Sequence, residues 1–159
     1  MAIVSVYGIQ VPNRPQPSTV GSLVWRLSMK WRATVDRAVA PLGLTHAQYV
    51  LLASLHGLTR IRPPPSQREL ADFASLEPIY VSKLARALEQ QGLIERTTNP
   101  ADPRAVQLAL TPKGQETVEP AIAIVADLLA ELTAPIGGLR SAETRQFTHT
   151  LQLLVGDIE

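Results

Sequence analysis

Two neighbouring stretches decide the fold: Ser66-Gln67-Arg68-Glu69-Leu70-Ala71-Asp72-Phe73-Ala74 and, after a short break, Pro78-Ile79-Tyr80-Val81-Ser82-Lys83-Leu84-Ala85-Arg86-Ala87-Leu88. Ser66 and Glu69 have the spacing of a capping box, in which the serine hydroxyl accepts from the Glu69 amide and the carboxylate accepts from the Ser66 amide. Pro63-Pro64-Pro65 cannot continue a helix, so the first helix starts at Ser66. Leu70, Phe73 and Ala74 recur at i, i+3, i+4 and are expected to share its inward face. Pro78 suits the first turn of the second helix, where a missing N–H costs nothing. There Val81, Leu84, Ala85 and Leu88 form the inward stripe, leaving Tyr80, Ser82, Lys83, Arg86 and Gln90 opposite. Gly92 fits the position just past a helix end, with Leu93 available for the apolar contact that follows such an end.

A ribbon comes next. Val106, Leu108 and Leu110 alternate with Ala105, Gln107 and Ala109, the pattern of a half-buried strand, and Leu93 to Thr98 is its partner. The connecting loop, Asn99-Pro100-Ala101-Asp102-Pro103-Arg104, carries Arg104 near its tip. Two short helices, a tight turn and a two-stranded ribbon read as a winged helix-turn-helix within a mainly α chain that has a small two-stranded β-wing. A helix pair alone occurs in many all-α domains, where Lys83 and Arg86 are ordinary solvated charges. A basic wing tip beside a basic helix face is what binding in a nucleic-acid groove requires.

The sequence resembles the MarR family of bacterial transcriptional regulators. The resemblance rests on Gln67-Arg68-Glu69-Leu70-Ala71, Val81-Ser82-Lys83-Leu84 and Leu88-Glu89-Gln90-Gln91-Gly92-Leu93-Ile94-Glu95-Arg96. The wing Asp102-Pro103-Arg104-Ala105-Val106 and the closing Leu110-Thr111-Pro112-Lys113-Gly114 complete it. It is continuous from about Val20 to Val155. The chain departs from the family in its three prolines ahead of the first helix and in Glu77-Pro78-Ile79-Tyr80, where a small polar residue is common.

The resemblance implies a homodimeric, ligand-responsive repressor of a pseudo-palindromic double-stranded DNA operator, with half-sites about one turn apart. The helix Pro78 to Gln91 enters the major groove. Arg86 and Lys83 have donors for guanine edges or phosphates, and Ser82, Tyr80 and Gln67 can bond phosphates or bases. Ser66, Arg68 and Ile79 belong to the same expected DNA contact. By the family pattern Arg104 reaches the minor groove and Asp102 orients the wing. A small aromatic or anionic effector is implied where the dimer helices meet the DNA-reading lobe, with Trp31, Tyr49 and His56 as candidate pocket residues. The alternative is an architectural or protein-binding winged helix, favoured by the apolar Ile79 and Tyr80 at the start of the second helix.

A chain of 159 residues with a net charge of +1 has room for one domain plus a dimerisation element, and no uniformly basic surface. The contact is therefore expected to be local, drawn from Arg60, Arg62, Arg68, Lys83, Arg86, Arg96 and Arg104 and partly offset by Glu69, Asp72, Glu77, Glu89, Glu95 and Asp102. With no cysteine, disulfides, thiolate metal sites and thiol-based oxidant sensing are excluded. His46, His56 and His149 are scattered singly, so no metal and no cofactor is expected. No phosphate loop, HExxH or nucleophile elbow is present, which argues against an enzyme. No apolar run approaches a membrane span, and residues 1–10 lack a secretory pattern, so the expected location is the cytoplasm.

The organisation follows in order. Residues 1–17 read as an extended or loose N-terminal arm. Residues 18–44 hold an N-terminal helix of the dimerisation region, capped by Ser18 or Thr19, with Val24, Leu27, Trp31, Val35 and Val39 at helical spacing. Residues 45–111 form the winged helix, opened by a Thr45–Gln48 capping box. Residues 112–159 supply C-terminal dimerisation helices: one from Thr111, kinked or loosened by Pro120, and a last one from Ser141 with Phe147, Leu151, Leu154 and Val155 on one side. The apolar helices at the two ends exceed what the winged-helix core needs, which points to a dimer over a larger monomeric core.

Overall fold

The structure, a computed structural model, describes residues 18–100 and 102–157; the N-terminal arm and Ala101 of the wing loop lie outside the described residues. Among the described residues, six α-helices and one hairpin follow in order: α1 (Val20–Val39), α2 (His46–Thr59), α3 (Gln67–Phe73), α4 (Pro78–Gln90), β1 (Ile94–Thr98), β2 (Val106–Leu110), α5 (Pro112–Thr133) and α6 (Ala142–Val155). The described residues fall into two units, divided between Trp31 and Arg32.

In the first unit Thr19 caps α1, its Oγ1 accepting from the Ser22 amide at 3.2 Å. The apolar side chains Val20, Leu23, Val24, Trp25, Leu27 and Met29 are exposed along this part of the helix. The expected stripe is thus buried only at its C-terminal end, at Val35 and Val39, and Val24 and Leu27 stand uncovered.

The second unit holds the core. α2 starts at the expected capping box, with Thr45 Oγ1 accepting from the Gln48 amide and Gln48 Oε1 accepting from the Thr45 amide at 2.9 Å. Leu51, Leu52, Leu55 and Leu58 of α2 are buried, and the helix packs against α4, α5 and β2. Leu70, Val81, Leu88 and Leu108, each fully buried, complete the core, and each such side chain contributes roughly 1.5–3 kcal/mol by leaving water.

α3 departs from its expected face. Leu70 and Ala71 are buried, whereas Phe73 is 57% exposed. The reason is angular: at about 100° per residue, Ala71 and Ala74 lie to one side of Leu70 and Phe73 to the other. The α3–α4 turn also uses an unusual residue. Ser75 takes the left-handed conformation (φ 53°) that glycine normally supplies after a helix, and Leu76 N donates back to Ala71 O at 3.0 Å.

β1 and β2 pair antiparallel, from Ile94 opposite Leu110 to Thr98 opposite Val106. A third segment, not expected from the sequence, joins the wing. Leu108 N donates to Pro65 O at 3.0 Å, Gln107 Nε2 donates to Pro64 O at 3.3 Å, and Ser66 bridges to Gln107. Prolines tolerate this edge because it asks only for their carbonyls. The triproline therefore stops one element and also ties the start of α3 to the wing.

α5 begins as expected, with Pro112 in its first turn and Thr111 Oγ1 accepting from the Gly114 amide at 2.9 Å. It continues through Pro120 as one helix to Thr133. Pro120 and Glu116, the residue whose carbonyl loses its helical donor, are both exposed, so water can satisfy that carbonyl. α6 is capped by Ser141, and Phe147, Leu153, Leu154 and Val155 are exposed along it. Among the described residues, no single helix is long and apolar enough to cross a membrane.

Candidate nucleic-acid interface

The site is built from α3, α4 and the wing. Ser66 works first as the cap of α3: its Oγ accepts from the Glu69 amide at 3.2 Å, and its amide donates to Glu69 Oε2 at 2.7 Å. Hydrogen bonding by Ser66 to the Glu69 carboxyl, first through its backbone amide and then through its side chain, holds that carboxyl below its ordinary range, with Arg62 adding a smaller effect. A carboxyl depressed in the folded state contributes stability above its unfolded pKa and loses it as pH falls through the folded value. Ser66→Ala should cost about 1 kcal/mol. Glu69→Gln should make stability fall less steeply on acidification below about pH 4.3; urea midpoints between pH 6 and 3 check both, and identical acid limbs would contradict the assignment.

α4 owes its place to both of its ends. Pro78 starts it, and Gly92 (φ 72°) ends it, so that Leu93 N can donate to Leu88 O at 2.9 Å. Val81, Leu84, Ala85 and Leu88 are buried as expected. Ile79, Tyr80, Lys83, Arg86 and Gln90 are exposed, and Ser82 is half-buried. Gln67 is half-buried with a buried Oε1 that has no hydrogen-bond partner among the described residues, and Arg68 is exposed.

The wing loop is held by its own backbone. Asn99 N donates to Ala105 O at 2.9 Å, Ala105 N donates to Asp102 O at 2.9 Å, and Asp102 Oδ1 accepts from the Arg104 amide at 3.0 Å. Asp102 thus orients the turn from which the exposed Arg104 projects.

Pairing sorts the seven basic residues of this region. Arg62 Nη1 meets Glu69 Oε1 at 3.4 Å, and Arg96 Nη1 meets Glu89 Oε2 at 3.5 Å. Arg96 lies opposite Leu108 in the ribbon, on its inner face, and is half-buried. Among the described residues, Arg60, Arg68, Lys83, Arg86 and Arg104 form no ion pair. Those charges remain available to an anionic partner. No sequence spacing announced this division, because each pairing crosses between elements.

The effector candidates sit elsewhere. Tyr49 and His56 are half-buried, two turns apart on α2, and burial holds the Tyr49 hydroxyl above its ordinary pKa. Trp31 is half-buried on α1. Among the described residues, no group of three His, Asp or Glu side chains is placed to hold a metal ion.

A helix pair ending in an outward, unpaired basic helix, with an arginine-tipped wing beside it in sequence, defines a winged-helix DNA-binding protein. The MarR family model matches residues 44–106. An HTH-type transcriptional regulator of Bacillus subtilis (strain 168), YdcH, is 40% identical over 105 residues, which are 66% of this chain and 71% of that protein. The chain belongs to the MarR family and is a transcriptional regulator. Among solved structures, a point mutant of MarR from E. coli complexed with operator DNA is 26% identical with a TM-score of 0.75, covering 85% of this chain and 92% of that one. BpsR of Bordetella bronchiseptica, whose DNA binding is regulated by 6-hydroxynicotinic acid, is 25% identical with a TM-score of 0.71, covering 87% of this chain and 99% of that one.

Proposed function

We propose that this regulator binds a pseudo-palindromic operator in duplex DNA as a homodimer, with α4 in the major groove, the wing in the minor groove, and binding relieved by a small aromatic or anionic molecule. The observation that carries the DNA contact is the set of exposed cations Lys83, Arg86 and Arg104 on α4 and the wing, which form no ion pair among the described residues. Guanine O6 and N7 accept from such side chains in the major groove, and phosphates accept on either side. Ser82, Tyr80, Gln67 and Arg68 supply flanking polar contacts, and Ser66 does so beyond its capping role.

The dimer is supported by the exposed apolar side chains of α1 and α6. Apolar surface on this scale is a feature of association faces. Residues 18–44 and 112–159 are accordingly the dimerisation segments and 45–111 the DNA-reading domain. Regulation by a ligand is supported by BpsR, which answers to an aromatic acid; Tyr49 and His56 on α2 are the pocket residues in this reading. The protein acts in the cytoplasm, by binding alone and without catalysis.

Selection of bound duplexes from a random pool tests the whole. The expected product is a two-fold symmetric consensus with half-site centres about 10 base pairs apart, bound by a species of dimer mass in light scattering. A monomer at micromolar concentration, or recovery of duplexes without a consensus, would overturn the reading.

A further inference from the structure

We propose that Ile79 reads thymine: resting on the placement of α4 in the major groove, its side chain packs on the C5-methyl group of one thymine in each half-site. Ile79 is 73% exposed in the first turn of α4. At 3.6 residues per turn, Ile79, Lys83, Arg86 and Gln90 fall within about 60° of one another, diametrically opposite the stripe that points into the core. The buried members of that inward stripe are Val81, Leu84, Ala85 and Leu88. The outward line of α4 therefore begins with an apolar side chain and continues with two exposed cations, without ion-pair partners among the described residues, and an amide.

This order of chemistry matches one surface of duplex DNA. Phosphates offer cations a partner but give an isoleucine nothing apolar. The minor groove shows no methyl group. The major groove alone sets the thymine methyl beside guanine acceptors, so it satisfies both ends of the stripe. Ile79 suits the contact because a β-branched residue in a helix keeps essentially one χ1 rotamer and loses little freedom when it docks. Ile79 and Arg86 are seven residues apart, about 10 Å along the helix axis, which corresponds to about three base-pair steps. The recognised thymine accordingly lies within about three base pairs of the guanine that Arg86 reads.

The test uses the full chain and the consensus duplex selected as above, with each thymine replaced in turn by deoxyuridine, which removes only the methyl group. The expected result is one thymine in each half-site whose replacement weakens binding of the wild-type protein about three- to five-fold, the effect of one buried methyl. With Ile79→Ala the same replacement has no effect, while Ile79→Val, still branched and apolar, retains the dependence. Circular dichroism of both variants should match the wild type, since the side chain is exposed. Equal deoxyuridine effects in wild type and Ile79→Ala at every thymine, with DNA binding intact, would overturn the assignment to Ile79 and leave the groove reading standing. Failure to bind any selected duplex overturns the groove reading, and the thymine contact with it.

Discussion

Gly114→Ala should destabilise the protein by about 3 kcal/mol or more, at the upper end of overpacking effects. A Cβ at this position would stand 1.9 Å from the carbonyl oxygen of Leu93, 2.9 Å from its carbon and 3.3 Å from Leu110 Cδ2. The first obstacle is backbone, so no rotamer change relieves it. Nor can the helix easily back away. Thr111 N donates to Leu93 O at 3.1 Å, Thr111 Oγ1 donates to Gly92 O at 2.6 Å, and Lys113 Nζ donates to Gln91 O at 2.7 Å. The first turn of α5 is thus seated on the chain that leaves α4, and a methyl group would lever the two apart. Gly57→Ala is the matched control, lying within α2 with nothing inside 4 Å of its added Cβ. It should gain roughly 0.5–1 kcal/mol from lower backbone entropy in the unfolded chain. Urea midpoints of the two variants measure the contrast, and a Gly114→Ala midpoint equal to the wild type would refute the steric account.

Arg86→Ala should weaken binding to the selected operator about ten- to hundredfold, or roughly 1–3 kcal/mol, and relax base preference at one position per half-site. Arg86 is exposed on the outward line of α4 and, among the described residues, has no ion-pair partner, so its removal leaves the protein intact and withdraws donors only from the DNA. Arg104→Ala should differ in kind. A wing cation near phosphates supports affinity similarly across sequences, and without it log K against log salt becomes shallower by about one unit for each phosphate no longer neutralised. Arg96→Ala provides the contrast within the protein, since that side chain is half-buried and turned towards Glu89. It should reduce stability more than it changes the salt slope. Titrations of a labelled duplex at four salt concentrations separate the three behaviours; parallel lines with unchanged base preference for all three variants would remove α4 and the wing from the DNA contact.

Local features of the fold were legible because their chemistry spans a single turn. The Thr45–Gln48 and Ser66–Glu69 capping boxes, Pro78 and Pro112 in first turns and Gly92 past the end of α4 all stand where the spacing placed them. The α4 stripe was equally plain, since its helix is long enough for periodicity to separate two faces. α3 was too short for that. Its seven residues hold fewer than two full turns, and Phe73 emerged on the solvent side. Ser75 hid its turn because a left-handed serine carries no glycine signal. The candidate site was legible as a list of exposed cations on α4 and the wing, but not in its division between free and paired charges.

The sequence by itself determined the order of helices and hairpin, their caps, the inward stripe of α4 and membership of the MarR family, because these depend on residues three or four apart or on contiguous motifs. Only the tertiary structure decided that Pro64 and Pro65 join the wing through their carbonyls, across 43 residues to Gln107 in the case of Pro64. It likewise decided that Gly114 must lack a side chain, and that Arg62 and Arg96 are paired while Lys83, Arg86 and Arg104, among the described residues, are not. The physical reason is common to all three. The seating of Gly114 against the Leu93 carbonyl, or of a guanidinium on a carboxylate, is set by how separate elements pack, and sequence periodicity reports only on one element at a time.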